Sequence, residues 1–591
     1  MKKLSTYIFE NKFLYLIGIV AMIFGVSLDM LSPQLTKRII DDVVMDGKME
    51  LLTRYLIGIL MIGIGRFLFQ YIKEYFFDFV SSKISRTIRT DLFHHIQSLS
   101  MDFFDHNNTG ELMARIKDDV DHIWNALNYI GMLIIEVILH TSTILICMFK
   151  LHAKLALLPA IIIPFAGILA IIMERKLDKI YGEISDENTL LNKVAEENLA
   201  GVRTVKAFAR EKYEINKFFS HNKHYYDLNM QQSQVFVRYY PLFQFITKLL
   251  PILTILLGGF FVIDDSMTIG DLSAFTQYST NIVWPMEMIG WLANDFSSAL
   301  ASNKKLKEIY RHTPSIKPPK HPIPIKKVYG NIKFEHISFS SMRGNPSQKK
   351  EKIPILKDIS FQIDAGKTLG IMGATGSGKT SIIHLLERFY EADHGTIFLD
   401  DNDIRTLSLK DLRKNIAVVM QDVFLFSDTI AENIVLGKKS ETKLETVKES
   451  AYKAQASDFI ERMEEGYDTV IGERGVGLSG GQKQRISLAR ALAKKAPILV
   501  LDDSTSALDM ETEKEIQKTL QTLSNTTKII IAHRISSVRH ADEIIILTNG
   551  EITERGTHET LMAKKGYYYQ TYLSQYGEPK LQEEAYGISI L

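Results

Sequence analysis

The segment GATGSGKTS, residues 373–381, sets small residues, a lysine and two hydroxyls at the spacing G-x-x-x-x-G-K-[ST]. Gly376 and Gly378 let the main chain approach an anion closely, because a side chain at either point would block it. The loop amides then point at the anion, helped by the positive end of the helix that follows. Lys379 is placed to reach the outer phosphates of a nucleoside triphosphate, and the Thr380 hydroxyl to hold Mg²⁺. Gly373, Thr375, Gly376, Ser377, Gly378, Lys379, Thr380 and Ser381 therefore make up the expected phosphate cradle.

A second stretch supplies acids. PILVLDDSTSALD, residues 497–509, runs an apolar strand into two consecutive aspartates. A carboxylate at the end of a buried strand lies at the edge of a site. Asp502 is thus the expected partner of the Mg²⁺ ion, and Asp503 stands beside it.

The elements that must hold these groups follow from the surrounding pattern. TLGIMG before the cradle reads as a strand and IIHLLERF after it as a helix. From residue 330 onward, short β-branched strands alternate with helical segments, the signature of an α/β domain. HTPSIKPPKHPIPIKKVYG, residues 312–330, is rich in Pro and Lys and reads as an extended linker. Its position divides the chain into a first domain at 1–310, a linker at 311–329, a nucleotide-binding domain at 330–575 and a tail at 576–591.

The first domain has a different character. A chain of 591 residues, 46% hydrophobic and with a net charge of +1, is too long for one core and carries no basic surface suited to nucleic acid. Its apolar residues gather before residue 300, in stretches long enough to cross a bilayer at about 20 residues each. The expected spans are 12–32, 55–77, 124–149, 153–174, 243–263 and 270–296. The long charged segments after the second and fourth spans carry many Lys and Arg and belong in the cytoplasm, which leaves 33–54, 150–152 and 264–269 outside and both termini inside. The lone Cys147 excludes a disulfide within the chain and a cysteine metal cluster. The short N-terminal segment, without a transit peptide, points to a bacterial plasma membrane.

LSGGQKQRISLARAL, residues 478–492, resembles the signature segment of the ATP-binding cassette (ABC) family. Gln421 in VVMQDVFLF is similar to the family's Q-loop, SALD at 506–509 to its D-loop, and His533 in IIIAHR to its switch histidine. A lone histidine after an apolar strand is ordinarily structural; its place in this ordered series assigns it a role. VIGERG at 470–475 resembles the loop that exporters of the family set against their membrane domain. Residues 103–120 and 196–218 are similar to cytoplasmic loops of exporter-type half-transporters, which end in short coupling helices.

The resemblance implies a six-helix all-α transmembrane domain of the type I exporter followed by an α/β P-loop ATPase. It implies ATP and Mg²⁺ as cofactors, with Thr380, Gln421 and Asp502 at the metal and Asp503, His533 and Gln421 around the attacking water. It also implies that Ser479, Gly480, Gly481 and Gln482 bind nucleotide across a dimer interface. One chain with one cassette is then half of a dimer that moves a small lipophilic substrate from the membrane. Two departures bear on the partner. The family commonly has glutamate where Asp503 stands, and an aromatic near Ser341 to stack on adenine; here no aromatic lies between Phe339 and Ile353. Phe339 reads as core-facing. With LSGGQ intact, the combination resembles the degenerate-site subunit of heterodimeric bacterial multidrug exporters. The alternatives are a homodimeric lipid or peptide exporter and an ATP-gated regulator or channel. Polar residues within the spans, Glu136 with His140 and Glu287 with Trp284, are the handles on the substrate, and an acid beside an aromatic suits a lipophilic cation.

Overall fold

The computed structural model describes residues 4–343, 351–436, 442–472 and 475–577. The chain divides into two compact units, residues 1–98 with 108–313, and residues 99–107 with 314–591.

The first unit is helical throughout. In hydrocarbon every backbone amide must be satisfied within its own segment, and a helix does this. Among the described residues, five helical stretches are long and apolar enough to cross a membrane: Lys12–Met45, Glu50–Ser98, Thr109–Leu151, Ala153–Ala200 and Glu211–Ile263. The charged segments expected between spans are therefore helical extensions of the spans themselves. The sixth expected span, 270–296, falls on two consecutive helices, Ile269–Asn281 and Val283–Arg311, rather than on one. Pro285 sits in the first turn of the second helix, where its missing N–H breaks no bond within that helix.

Side chains from distant segments lock this unit. The buried Tyr278 donates to the carbonyl of Met30 at 2.6 Å, and the buried hydroxyls of Thr254 and Ser279 pair at 2.9 Å. Asp41 accepts from the Gly270 amide and the Thr268 hydroxyl, each at 2.9 Å, capping the helix Ile269–Asn281. Gly270 is required there, because a Cβ would lie 2.5 Å from the Asp41 carboxylate.

The second unit contains two sheets. Strands are numbered β1 Ile332–Arg343, β2 Glu351–Ile363, β3 Thr368–Gly373, β4 His394–Leu399, β5 Asn402–Asp403, β6 Ile416–Val419, β7 Ile498–Asp502, β8 Thr527–Ile531, β9 Glu543–Thr548 and β10 Glu551–Gly556. The antiparallel sheet runs β2-β1-β4-β5. The larger sheet runs β10-β9-β3-β8-β7-β6, parallel from β9 to β6. Its central strands are continuous apolar runs such as ILVLD, buried along their whole length, as a parallel sheet covered on both faces requires. Within this unit Tyr390 donates to Asp105 at 2.7 Å, tying the short helix Met101–His106 to the cassette.

Candidate functional site

The parallel sheet delivers the predicted residues to one edge. The cradle follows β3, Gln421 follows β6, Asp502 ends β7 and His533 follows β8. These are the carboxyl ends of four strands in the order β3-β8-β7-β6, where open α/β sheets bind ligands.

In the cradle, Thr375 and Gly376 are exposed at the loop tip, and Gly378 caps the helix Lys379–Leu386 with φ of 99°. A side chain at Gly378 would be strained by that angle and would also meet Leu356 at 2.6 Å. Thr380 and Ser381 occupy the first turn of this helix. The Lys379 ammonium, almost fully buried, folds back to donate to the carbonyls of Gly373 at 3.0 Å and Ala374 at 2.8 Å. The Ser377 hydroxyl is buried without a hydrogen-bond partner. A buried hydroxyl lacking a partner and a lysine satisfied only by its own loop fit a phosphate, which would supply acceptors to both.

Burial sets the electrostatics. It lowers the Lys379 pKa against the attraction of Asp502 and Asp503. It raises that of Asp502, with Asp503 pushing the same way and the Thr380 hydroxyl, Lys379 and His533 opposing. Thr380 and Asp502 thus share a hydrogen bond and form a pair of hard oxygen ligands suited to a small divalent ion. Asp503 is half-buried, with φ of 44°; its amide donates to Ile531 at 2.9 Å and its carbonyl accepts from the Ser506 hydroxyl at 3.0 Å. Gln421 and His533 are exposed on their loops.

The signature segment forms an exposed helix start. Ser479 caps the helix Gly480–Ala493, accepting from the Gln482 amide at 3.3 Å, while the Gln482 side chain accepts from the Ser479 amide at 2.8 Å. Gly480 and Gly481 lie against Ala507 and Leu508 of the D-loop. Of VIGERG, Glu473 and Arg474 lie outside the described residues. Phe339 is buried, its ring 5.8 Å from that of Tyr390, so it offers no free face to a base; the insertion at 344–350 lies outside the described residues.

Sequence reasoning missed the residues that brace the switch loop. The Gln575 amide spans it, donating to the His533 carbonyl at 2.7 Å and accepting from the Ile535 amide at 3.0 Å. Arg534 pairs with the buried Glu513 at 3.0 Å and donates to the Ser506 carbonyl at 3.2 Å, and Gln484 of the signature helix holds both Ser506 and Ala507. Gln575 is 42 residues from His533 and belongs to no motif, so only the fold could reveal it. A neutral hydrogen bond is worth about 1 kcal/mol. Gln575→Ala is therefore expected to accelerate amide exchange at Ile535 about fivefold, leaving Ile529 in β8 unchanged. Equal exchange at Ile535 in variant and parent would refute the brace.

The chain matches two family models, the ABC transporter transmembrane region over residues 15–286 and ABC transporter over residues 356–506. It is 34% identical over 588 residues to the uncharacterized ABC transporter ATP-binding protein YknU of Bacillus subtilis, covering 99% of each chain. It is 34% identical over 570 residues to the putative multidrug export ATP-binding/permease protein YgaD of the same organism, covering 95% of this chain and 96% of the other. Its fold matches the structure of a bacterial Atm1-family ABC exporter with ATP bound, with a TM-score of 0.79, 26% identity and coverage of 98% of this chain and 100% of that one. With its cradle and acids at the carboxyl ends of one parallel sheet, and a unit of long apolar helices preceding them in the sequence, the chain belongs to the ABC transporter family as an exporter-type half-transporter whose ATPase is coupled to transport.

Proposed function

We propose that this chain pairs with a non-identical half-transporter and exports a lipophilic substrate from a bacterial plasma membrane, with its nucleotide-binding domain and both termini in the cytoplasm. The observation that carries the pairing is Asp503. Its carboxylate is about 1.5 Å shorter in reach than glutamate, and a misplacement of that size can cost about 10²-fold. The buried Phe339 supports the same reading, because it leaves adenine without that ring to stack on. The exposed Ser479 end of the signature helix is free to complete a partner's site instead.

In this reading Thr380, Asp502 and Gln421 would hold Mg²⁺, whose charge would oppose the effect of burial that raises the Asp502 pKa. Ser377 and Lys379 would hold the phosphates, and His533, on the loop braced by Gln575, would answer the γ-phosphate. The cytoplasmic placement is supported by the Lys and Arg residues of the long charged segments. The chain purified alone is expected to hydrolyse ATP at least tenfold more slowly than when mixed with its partner, given a general-base contribution of about 10²–10⁴-fold. Equal turnover of the lone chain and every mixture would overturn the unlike pairing.

A further inference from the structure

Within the helical unit, a cavity of about 780 Å³ opens among side chains of the first, second and third spans and of the junction between the helices Ile269–Asn281 and Val283–Arg311. Its wall includes three carboxylates, Asp29, Glu74 and Glu136, and two permanent cations, Arg66 and Lys73. Ionisable groups inside apolar spans are costly and mark function. A structural ion pair alone would not explain this set, since such a pair can be exchanged for apolar residues at little cost and needs no cavity.

The partners within the wall define what is left over. The buried Lys73 ammonium donates to both oxygens of Glu136 at 2.9 Å, so Glu136 is not the free acid that a lipophilic cation would need. Glu287, which does not line this cavity, accepts from the neutral Gln244 at 2.6 Å. Arg66 reaches Asp29 at 2.6 Å through one nitrogen, while its side chain stays 62% exposed. A guanidinium has five donors, so one contact leaves donors over on a side chain that lines the cavity. The Nδ1 of His140 is buried without a hydrogen-bond partner, and its Nε2 lies 3.7 Å from Asp29. Glu74 is met by the neutral Gln70, at 2.5 Å, so one carboxylate in the wall has no cationic partner there. Trp284 stands edge-on to His140 with ring centres 6.3 Å apart, and Phe67, Met132 and Leu133 complete an apolar side.

We infer that this cavity binds the head of a zwitterionic amphiphile. Its anionic group lies on the Arg66 fork, its cationic group meets Glu74, and its chain lies along the apolar side chains of the wall. A simple cation would meet the Arg66 charge, and a simple anion would meet the surplus carboxylate. The inference rests on the exporter reading for its purpose, since it names the substrate class of that pump.

The test uses the full-length chain with its partner in lipid nanodiscs and four probes that share one saturated fourteen-carbon chain. These are lysophosphatidylcholine, lysophosphatidylglycerol, an alkyltrimethylammonium and a monoacylglycerol. Binding is measured directly, without nucleotide. The zwitterion is expected to bind at least about tenfold tighter than the other three, and Arg66→Ala to remove that preference, as loss of a charge-assisted contact worth about 1.5–3 kcal/mol requires. Arg66→Lys, which keeps the charge but not the fork, guards against misfolding and should retain part of the preference. Tightest binding of the cationic probe, equal binding of all four, or an unchanged preference in both Arg66 variants would overturn the inference. ATP-dependent uptake into inside-out vesicles is scored separately. Selective zwitterion binding without any uptake leaves the site standing and removes the pump reading, whereas uptake of a cationic dye without zwitterion selectivity does the reverse.

Discussion

Replacing Lys379 by alanine is expected to empty this chain's own nucleotide site while sparing most of the dimer's turnover, and Ser479→Ala is expected to remove most of that turnover. The Lys379 ammonium now answers only the carbonyls of Gly373 and Ala374. With nucleotide bound it would serve two phosphates, and hydrogen bonds to charged groups are worth about 1.5–3 kcal/mol each, so affinity should fall about 10²-fold or more. On the proposed pairing Ser479 would act in the partner's site, where loss of one preorganised donor costs about 10²–10³ in rate. It also caps its own helix, at a further cost of about 1 kcal/mol in stability; Ser479→Asn keeps a cap and separates the two effects. Steady-state ATPase of the purified dimer, with nucleotide occupancy measured at each site, checks both substitutions. Near-total losses from both would show that the sites are equivalent.

Changing Asp503 tests the same asymmetry from the acid side. Asp503→Asn keeps the side chain's size and its tolerance of a positive φ, here 44°. It is expected to change dimer turnover less than about twofold, because a base at this position is asked to supply none of the 10²–10⁴-fold that a working one contributes. Asp503→Glu restores reach, but a longer side chain is less at ease in the left-handed region, at a cost on the order of 1 kcal/mol. Single-turnover hydrolysis at this chain's site should therefore rise about tenfold, short of the general-base ceiling. Collapse of turnover in Asp503→Asn would mean that Asp503 is an essential base and that this site is not degenerate.

The chemistry of the cassette was legible because its residues are local. The cradle from Gly373 to Ser381 and the pair Asp502–Asp503 are fixed by loops and strand ends a few residues long, and the apolar period of β7 and β8 fixes where those strands end. What sequence did not reveal is nonlocal. Glu136 looked like a free acid until the fold brought Lys73, 63 positions away, to within 2.9 Å. Gln575 lay beside the presumed tail until its helix returned to the switch loop. The division at Ile282 was hidden by the hydropathy of the segment, and Pro285 alone does not mark it, since Pro33, Pro159, Pro164, Pro241 and Pro251 lie inside continuous helices.

The length of the helices carries a mechanical consequence. At 1.5 Å per residue, the 53-residue helix Glu211–Ile263 is about 80 Å long, while the hydrocarbon core it crosses is about 30 Å thick. More than half of it is therefore a rod outside the bilayer. A tilt of about 10° at the membrane end of such a rod, about 50 Å long at 1.5 Å per residue, displaces its far tip by about 9 Å. The same ratio runs in reverse, so a displacement of several ångströms at the tip becomes a rotation of only a few degrees within the bilayer. The fold is geared: large, low-force travel at the end outside the bilayer becomes small, high-force motion in the membrane.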